Sequence, residues 1–259
     1  MSKHEMAADR STFAPALALL PGALKADVGC LYRVLRTLDD LVDEDDPRAP
    51  DRVAAVECWA RGEDADTPET RALEGLARRY PLPRESLMEF CQGMRHDIAR
   101  ASVEDENDFA RYCQQAGGSV GIVLASMLGT NHPAGESKMA TLGRAMQVTN
   151  ILRDIDEDLA QGRLYISATT IERFGFPTPG AREALLRDHI ARADTLFEEG
   201  AGAIPLLREG RRAMALAASL YREILRQLER DGFGAQPGRV TVPTWRMRVL
   251  TAKHRFTIT

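Results

Sequence analysis

The chain has 259 residues, with 34 Lys and Arg against 38 Asp and Glu, a formal net charge of −4, and 44% apolar and 28% charged residues. This balance argues against a nucleic-acid binder that works by neutralising phosphates, and the apolar share excludes wholesale disorder. With only 20 glycines, 13 prolines and 6% aromatics, long helices are expected in place of many short strands.

Phe13 to Leu24 is apolar and predicts a first helix. Pro15, Pro21, Glu5 and Asp9 speak against reading it as a leader peptide. Val28, Leu31, Tyr32, Leu35, Leu38 and Val42 recur at spacings of three and four, which predicts an amphipathic helix ending at the acidic loop 44–50. A helix over 86–100 follows the Pro81/Pro83 break. Phe109 to Leu128 predicts a long, nearly uncharged helix with Gly117, Gly118 and Gly121 inside it. Each interior glycine costs about 1 kcal/mol against alanine, so close helix packing or a ligand pressed on the backbone must offset them. Further helices are predicted over 142–159, 181–199 and 209–231, with an irregular tail over 232–243 and a short last segment. No repeat or linker divides the chain, which predicts one all-α domain over 1–259.

Cys30, Cys58, Cys91 and Cys113 are widely spaced and the five histidines form no ligand-spaced pair, so zinc and disulfide frameworks are not expected and a cytoplasmic location is. No apolar run approaches the roughly 18 residues of a membrane span. Peripheral membrane contact stays open, and the oligomeric state is not readable.

The chemistry-bearing residues form two acidic runs. Arg36, Asp39, Asp40 and Asp43 lie on one predicted helix, and Asn150, Arg153, Asp154, Glu157 and Asp158 on another. Asp39/Asp43 and Asn150/Asp154/Asp158 step by four, so each set lines one helix face, where like charges cost about 0.2–0.5 kcal/mol per pair. One reading is a solvated acidic face, and Asp45 and Asp46 are read that way. The other is a counter-charge. Oxygen ligands without thiolate or imidazole suit Mg²⁺ shared with substrate phosphates, and the interleaved arginines suit a diphosphate. Arg153, offset by about 100° from Asp154 on the helix, is expected to contact phosphate or to orient a carboxylate by an ion pair.

Arg36 to Asp43 and Gln147 to Tyr165 resemble the two motifs of the squalene/phytoene synthases, Arg-x-x-Asp-Asp-(Leu/Ile)-x-Asp and Gln-x-x-Asn-x-x-Arg-Asp-x-x-Glu-Asp followed by Gly-Arg-x-Tyr. The resemblance extends from Phe13 through Tyr112-Cys113 and Gly118-Ser119-Val120-Gly121 to Tyr221 and Arg239-Val240. It implies an all-α isoprenoid-synthase bundle with a central cavity, and prenyl diphosphate as substrate. Asp39, Asp40, Asp43, Asn150, Asp154 and Asp158 are then the metal ligands, for Mg²⁺ or Mn²⁺. Arg36, Asp39, Asp43, Asp154 and Asp158 act in ionisation. Arg36, Gln147, Arg153, Arg163, Tyr165, Gly118, Val103, Phe13 and Tyr221 contact substrate.

Four positions, in three places, depart from the family pattern. Its Arg-Tyr pair is replaced by Ser102 and Val103, an aromatic beside Phe13 by Ala14, and a proline after Tyr165 by Ser167. Valine cannot exchange the proton that the family tyrosine is thought to handle. The expected activity is therefore transfer of a prenyl group to a small aromatic, carbazole-like acceptor in secondary metabolism. Head-to-head coupling of two prenyl diphosphates is the alternative, with Tyr112 or Tyr221 in the proton role. A non-catalytic prenyl-diphosphate-binding partner is the third reading.

Overall fold

A computed structural model of the chain describes residues 12–256. Pro21 divides the predicted first helix. A short α1 (Ala14–Leu17) ends before it, and α2 (Gly22–Asp43) starts just after it, because a proline has no N–H to give a preceding turn. Then come α3 (Ala49–Arg61), α4 (Pro68–Ala77), α5 (Arg84–Ile98) and α6 (Glu106–Cys113). They are followed by α7 (Ser119–Leu128), α8 (Ala134–Ala160), α9 (Ala168–Phe174), α10 (Glu183–Ala201), α11 (Arg211–Arg230) and α12 (Thr244–Phe256). Among the described residues the only β pairing is an isolated bridge between Thr130 and Leu207.

The apolar stripe of α2 is buried as its spacing requires: Val28, Leu31, Leu35, Leu38 and Val42 are all under a tenth exposed. α8 runs through the bundle against α7, α10 and α11, while α2 packs on α3, α4, α5 and α7. α7 therefore touches both acidic helices.

The predicted helix over 109–128 carries an insertion. Gln114–Gly118 forms a π turn between α6 and α7, and it lies against α5 and α8. Its glycines are there for close approach. A Cβ on Gly117 would meet the carbonyl oxygen of Gly143 on α8, one on Gly143 would meet that of Gly117, and one on Gly121 would meet that of Met139. Helix packing, the first of the two offsets expected, accounts for all three contacts.

Candidate active site

α2 carries Arg36, Asp39, Asp40 and Asp43 at its C-terminal end, and α8 carries Gln147, Asn150, Arg153, Asp154 and Asp158 on its last four turns. Arg36 bridges Asp39 at 2.8 Å and Asp40 at 2.7 Å, and Asp40 takes part in the site through that arginine. Just past the end of α8, Gly162, with a φ of +73°, reverses the chain and lets the Arg163 N–H bond the Asp158 carbonyl at 2.8 Å. That turn sends the buried Arg163 side chain across to α2, where Nη1 pairs with Asp43 and Nη2 donates to the Val42 carbonyl at 2.6 Å. A residue 120 positions away in sequence thus joins the two motifs.

Arg153 is paired with its own neighbour on α8. Its Nε and Nη2 grip Asp154 at 2.8 and 2.5 Å. Asp154 also receives Arg239 at 3.3 Å, and Arg239 reaches Glu157 at 3.1 Å. The tail that brings Arg239 is itself anchored on α8. The Gly238 N–H donates to Asp156 at 2.7 Å, and the Val240 N–H to the Arg153 carbonyl at 3.3 Å. Arg239 lies outside both motifs, and in the sequence only its place in the family landmark marks it.

Two carboxyls are strongly perturbed. Asp39 is pushed up to about 7, first by burial and then by Asp43, although 38% of its side chain still meets solvent. Asp158 is pushed up to about 7 by burial, then by Asp154 and by Asp43 of the opposite helix. The two acidic faces therefore feel one another across the site. Burial raises Asp43 as well, with Arg163 opposing it.

Beside this cluster stands Asp97 at the end of α5, which neither sequence motif includes. It is buried and accepts from the Tyr112 hydroxyl at 3.1 Å and the Tyr165 hydroxyl at 2.9 Å. The two rings stack at 4.7 Å. Burial, then Asp97, holds both phenols protonated well above their ordinary range. Tyr165, Asp97, Arg163 and the buried Val103 share the wall of a cavity of about 270 Å³.

The remaining candidates sit as follows. Phe13 stacks on Tyr32, one turn before Arg36, with ring centroids 6.1 Å apart. The half-buried Tyr221 of α11 lies near Arg153 and Asp154, and desolvation raises its phenol above the ordinary value. Gln147 accepts from the Asn150 amide at 3.4 Å. Gly118 lies at the α7–α8 crossing under the Gln114 side chain, so packing already accounts for it. Ser167 caps α9 by accepting from the Thr170 N–H at 3.2 Å and donates to Glu106 at 2.6 Å. Of the loop acids read as solvated, Asp45 is exposed but pairs with Arg100 at 2.7 Å. Asp46 accepts from Arg48, which holds it down at about 2.

The site can receive a divalent cation. The Asn150 Oδ1 is buried with no hydrogen-bond partner, a state that normally calls for a bound water or ion. The donors are all oxygen, and the carboxyls repel one another as ligands of a cation would. Among the described residues no three His, Cys, Asp or Glu enclose a metal by themselves.

The chain matches the squalene/phytoene synthase family over residues 6–246. It is 31% identical to the phytoene synthase of Thermus thermophilus over 261 residues, covering 95% of this chain and 88% of that one. To the presqualene diphosphate synthase of Sinorhizobium fredii it is 30% identical over 267 residues, covering 93% and 92%. A crystallised dehydrosqualene synthase superposes with a TM-score of 0.86 at 28% identity, covering 97% of this chain and 93% of that one.

Proposed function

We propose, from the premise that this chain belongs to the squalene/phytoene synthase family of prenyltransferases, that it couples two allylic prenyl diphosphates head to head. Relatives named phytoene synthase and presqualene diphosphate synthase support this over transfer to an aromatic acceptor, which rested on the loss of a tyrosine at Val103. The observation that carries the reading is the pair of facing acidic faces, Asp43 against Asp158, with arginines interleaved and the phenol pair on Asp97 beside them.

Arg36, Arg153, Arg163 and Arg239 bind the diphosphates, since a planar guanidinium matches phosphate oxygens in pairs. Their carboxylate partners hold them pointed into the site until phosphate takes their place. Asp39, Asp43, Asn150, Asp154 and Asp158 would hold Mg²⁺, which when bound supplies positive charge beside the leaving group. When the allylic C–O bond breaks, the electron pair leaves with the diphosphate oxygen, and the arginines stabilise the charge that develops there. The allylic cation is attacked by the double bond of the second chain. A C–H bond beside the cation left by that attack then breaks, and its electron pair closes a carbon–carbon bond to that cation. The proton passes to the Tyr165 oxygen as Tyr165 gives its own proton to Asp97. Val103 and Tyr165 line the same cavity, so position 165 supplies the hydroxyl that position 103 lacks.

Purified protein given Mg²⁺ and farnesyl or geranylgeranyl diphosphate alone should yield a product carrying two prenyl chains. Tyr165→Phe should lower kcat by about 10²-fold or more with little change in KM. Product that forms only after an electron-rich aromatic is added would overturn this reading in favour of the acceptor prenylation.

A further inference from the structure

The back of α8 carries a charge that the site does not use. Asp156 follows Asp154 by two residues, about 200° round a helix of roughly 3.6 residues per turn, so it points away from the face of Asn150, Asp154 and Asp158. It meets Arg182, which stands just before α10 and is only 4% exposed. Arg182 Nη1 and Nη2 donate to the two carboxylate oxygens, each at 2.7 Å.

The remaining N–H groups of Arg182 go to backbone. Nε donates to the Gly234 carbonyl at 3.2 Å, Nη1 to that of Pro177 at 3.4 Å and Nη2 to that of Gln236 at 3.4 Å. Every N–H of the guanidinium fork therefore has an acceptor. Asp156 in turn accepts the Gly238 N–H at 2.7 Å. Gly234 is shaped to this contact: its φ is +70°, and a Cβ there would collide with Arg182 Nε. Residues 234–240 form no helix or strand of their own. One buried ion pair holds them at Gly234, Gln236 and Gly238, and the next residue is Arg239, whose guanidinium reaches Asp154 and Glu157.

We infer that Asp156 and Arg182 are positioning residues for the diphosphate site: their ion pair fixes residues 234–240 on α8 in the register that delivers Arg239 to Asp154. Stability alone does not call for charge here, because apolar side chains of similar volume often stabilise a buried site as well or better. Apolar packing is non-directional; it offers no donor to the carbonyls of Pro177, Gly234 and Gln236 and sets no register. A guanidinium paired through both ends of its fork does both. The role of Arg239 on diphosphate rests on the proposed function; the hold of the pair on this segment does not.

The test is a double-mutant cycle read on the binding of inorganic diphosphate in the presence of Mg²⁺, by calorimetry on the full chain, so it needs no coupling of prenyl chains. Arg182→Lys keeps the net charge and loses the fork. It should weaken binding about tenfold, as Arg239→Gln does. The double variant should bind no more weakly than Arg239→Gln alone, because the two changes remove one and the same contact. Hydrogen exchange over residues 234–240 should speed up in Arg182→Lys, with the interior of α8 as protected as in the wild type. If Arg182→Lys does not fold, Asp156→Asn, which keeps the volume, takes its place with the same expected results. Losses that add in the double variant would overturn the inference and leave the proposed function standing, as would unchanged binding by Arg182→Lys beside a weakened Arg239→Gln. Unchanged binding by Arg239→Gln would remove that arginine from the diphosphate site, and its assignment under the proposed function would fall together with the inference.

Discussion

Replacing Gly143 by alanine isolates the contact that sets the spacing of α7 and α8. Alanine is the better helix former by about 1 kcal/mol, so propensity alone favours the variant. Its Cβ, however, would collide with the Gly117 carbonyl oxygen and lie 3.2 Å from the Gly118 Cα. Both obstacles are backbone, and no side chain can swing aside to make room. Overpacking of a rigid site costs about 1–3 kcal/mol; taking the upper end and subtracting the propensity gain leaves a loss of about 2 kcal/mol. In a chain of this length that lowers Tm by about 4–8 °C. Gly75→Ala is the control, since a Cβ there meets nothing within 4 Å in the interior of α4. It should raise stability by up to about 1 kcal/mol. Thermal and urea unfolding of the three proteins measure both shifts. Gly143→Ala as stable as the wild type, with Gly75→Ala behaving as expected, would refute the claim that backbone contact requires glycine at this crossing.

Asp158→Asn removes a carboxyl that burial, Asp154 and Asp43 all disfavour, so it should abolish turnover while leaving Tm equal or higher; excess chelator should silence the wild type, and full activity in chelator would count against an ion at the site. Arg239→Gln should raise KM for the prenyl diphosphate and lower kcat/KM about tenfold or more, as expected for loss of a charged contact, and unchanged steady-state kinetics would remove it from the site. His189 is fully buried and held below its ordinary value, first by burial. The unfolded chain then binds more protons below about pH 6.5, so stability falls as the solution is acidified. Wild-type Tm should accordingly drop more between about pH 7 and 5 than that of His189→Gln; parallel melting curves across that range would contradict it.

What could be read directly was whatever depends on local spacing. The helix of Val28 to Val42 follows from apolar residues three and four apart, because a turn of 3.6 residues brings those positions to one side whatever surrounds them. The facing of Asp39 with Asp43, and of Asn150 with Asp154 and Asp158, follows from the same geometry. α3 and α4 carry weaker marks: their buried residues include Glu57, Glu69 and Thr70, which read as polar until Arg95 and Arg52 are found beside the two glutamates.

The amino-acid sequence by itself determined an all-helical chain with two acid-and-arginine helix faces, because each of those features is complete within a few turns. Only the tertiary structure decided which groups those faces meet. It placed Arg163 on Asp43 and Arg239 on Asp154, and it set both Tyr112 and Tyr165 on Asp97. It also turned Arg153 onto its own neighbour and inserted a π turn where Gly117 crosses Gly143. These contacts join segments far apart in the chain, and their energies depend on burial and on opposing charges that exist only once α2, α8 and the tail have packed around one site.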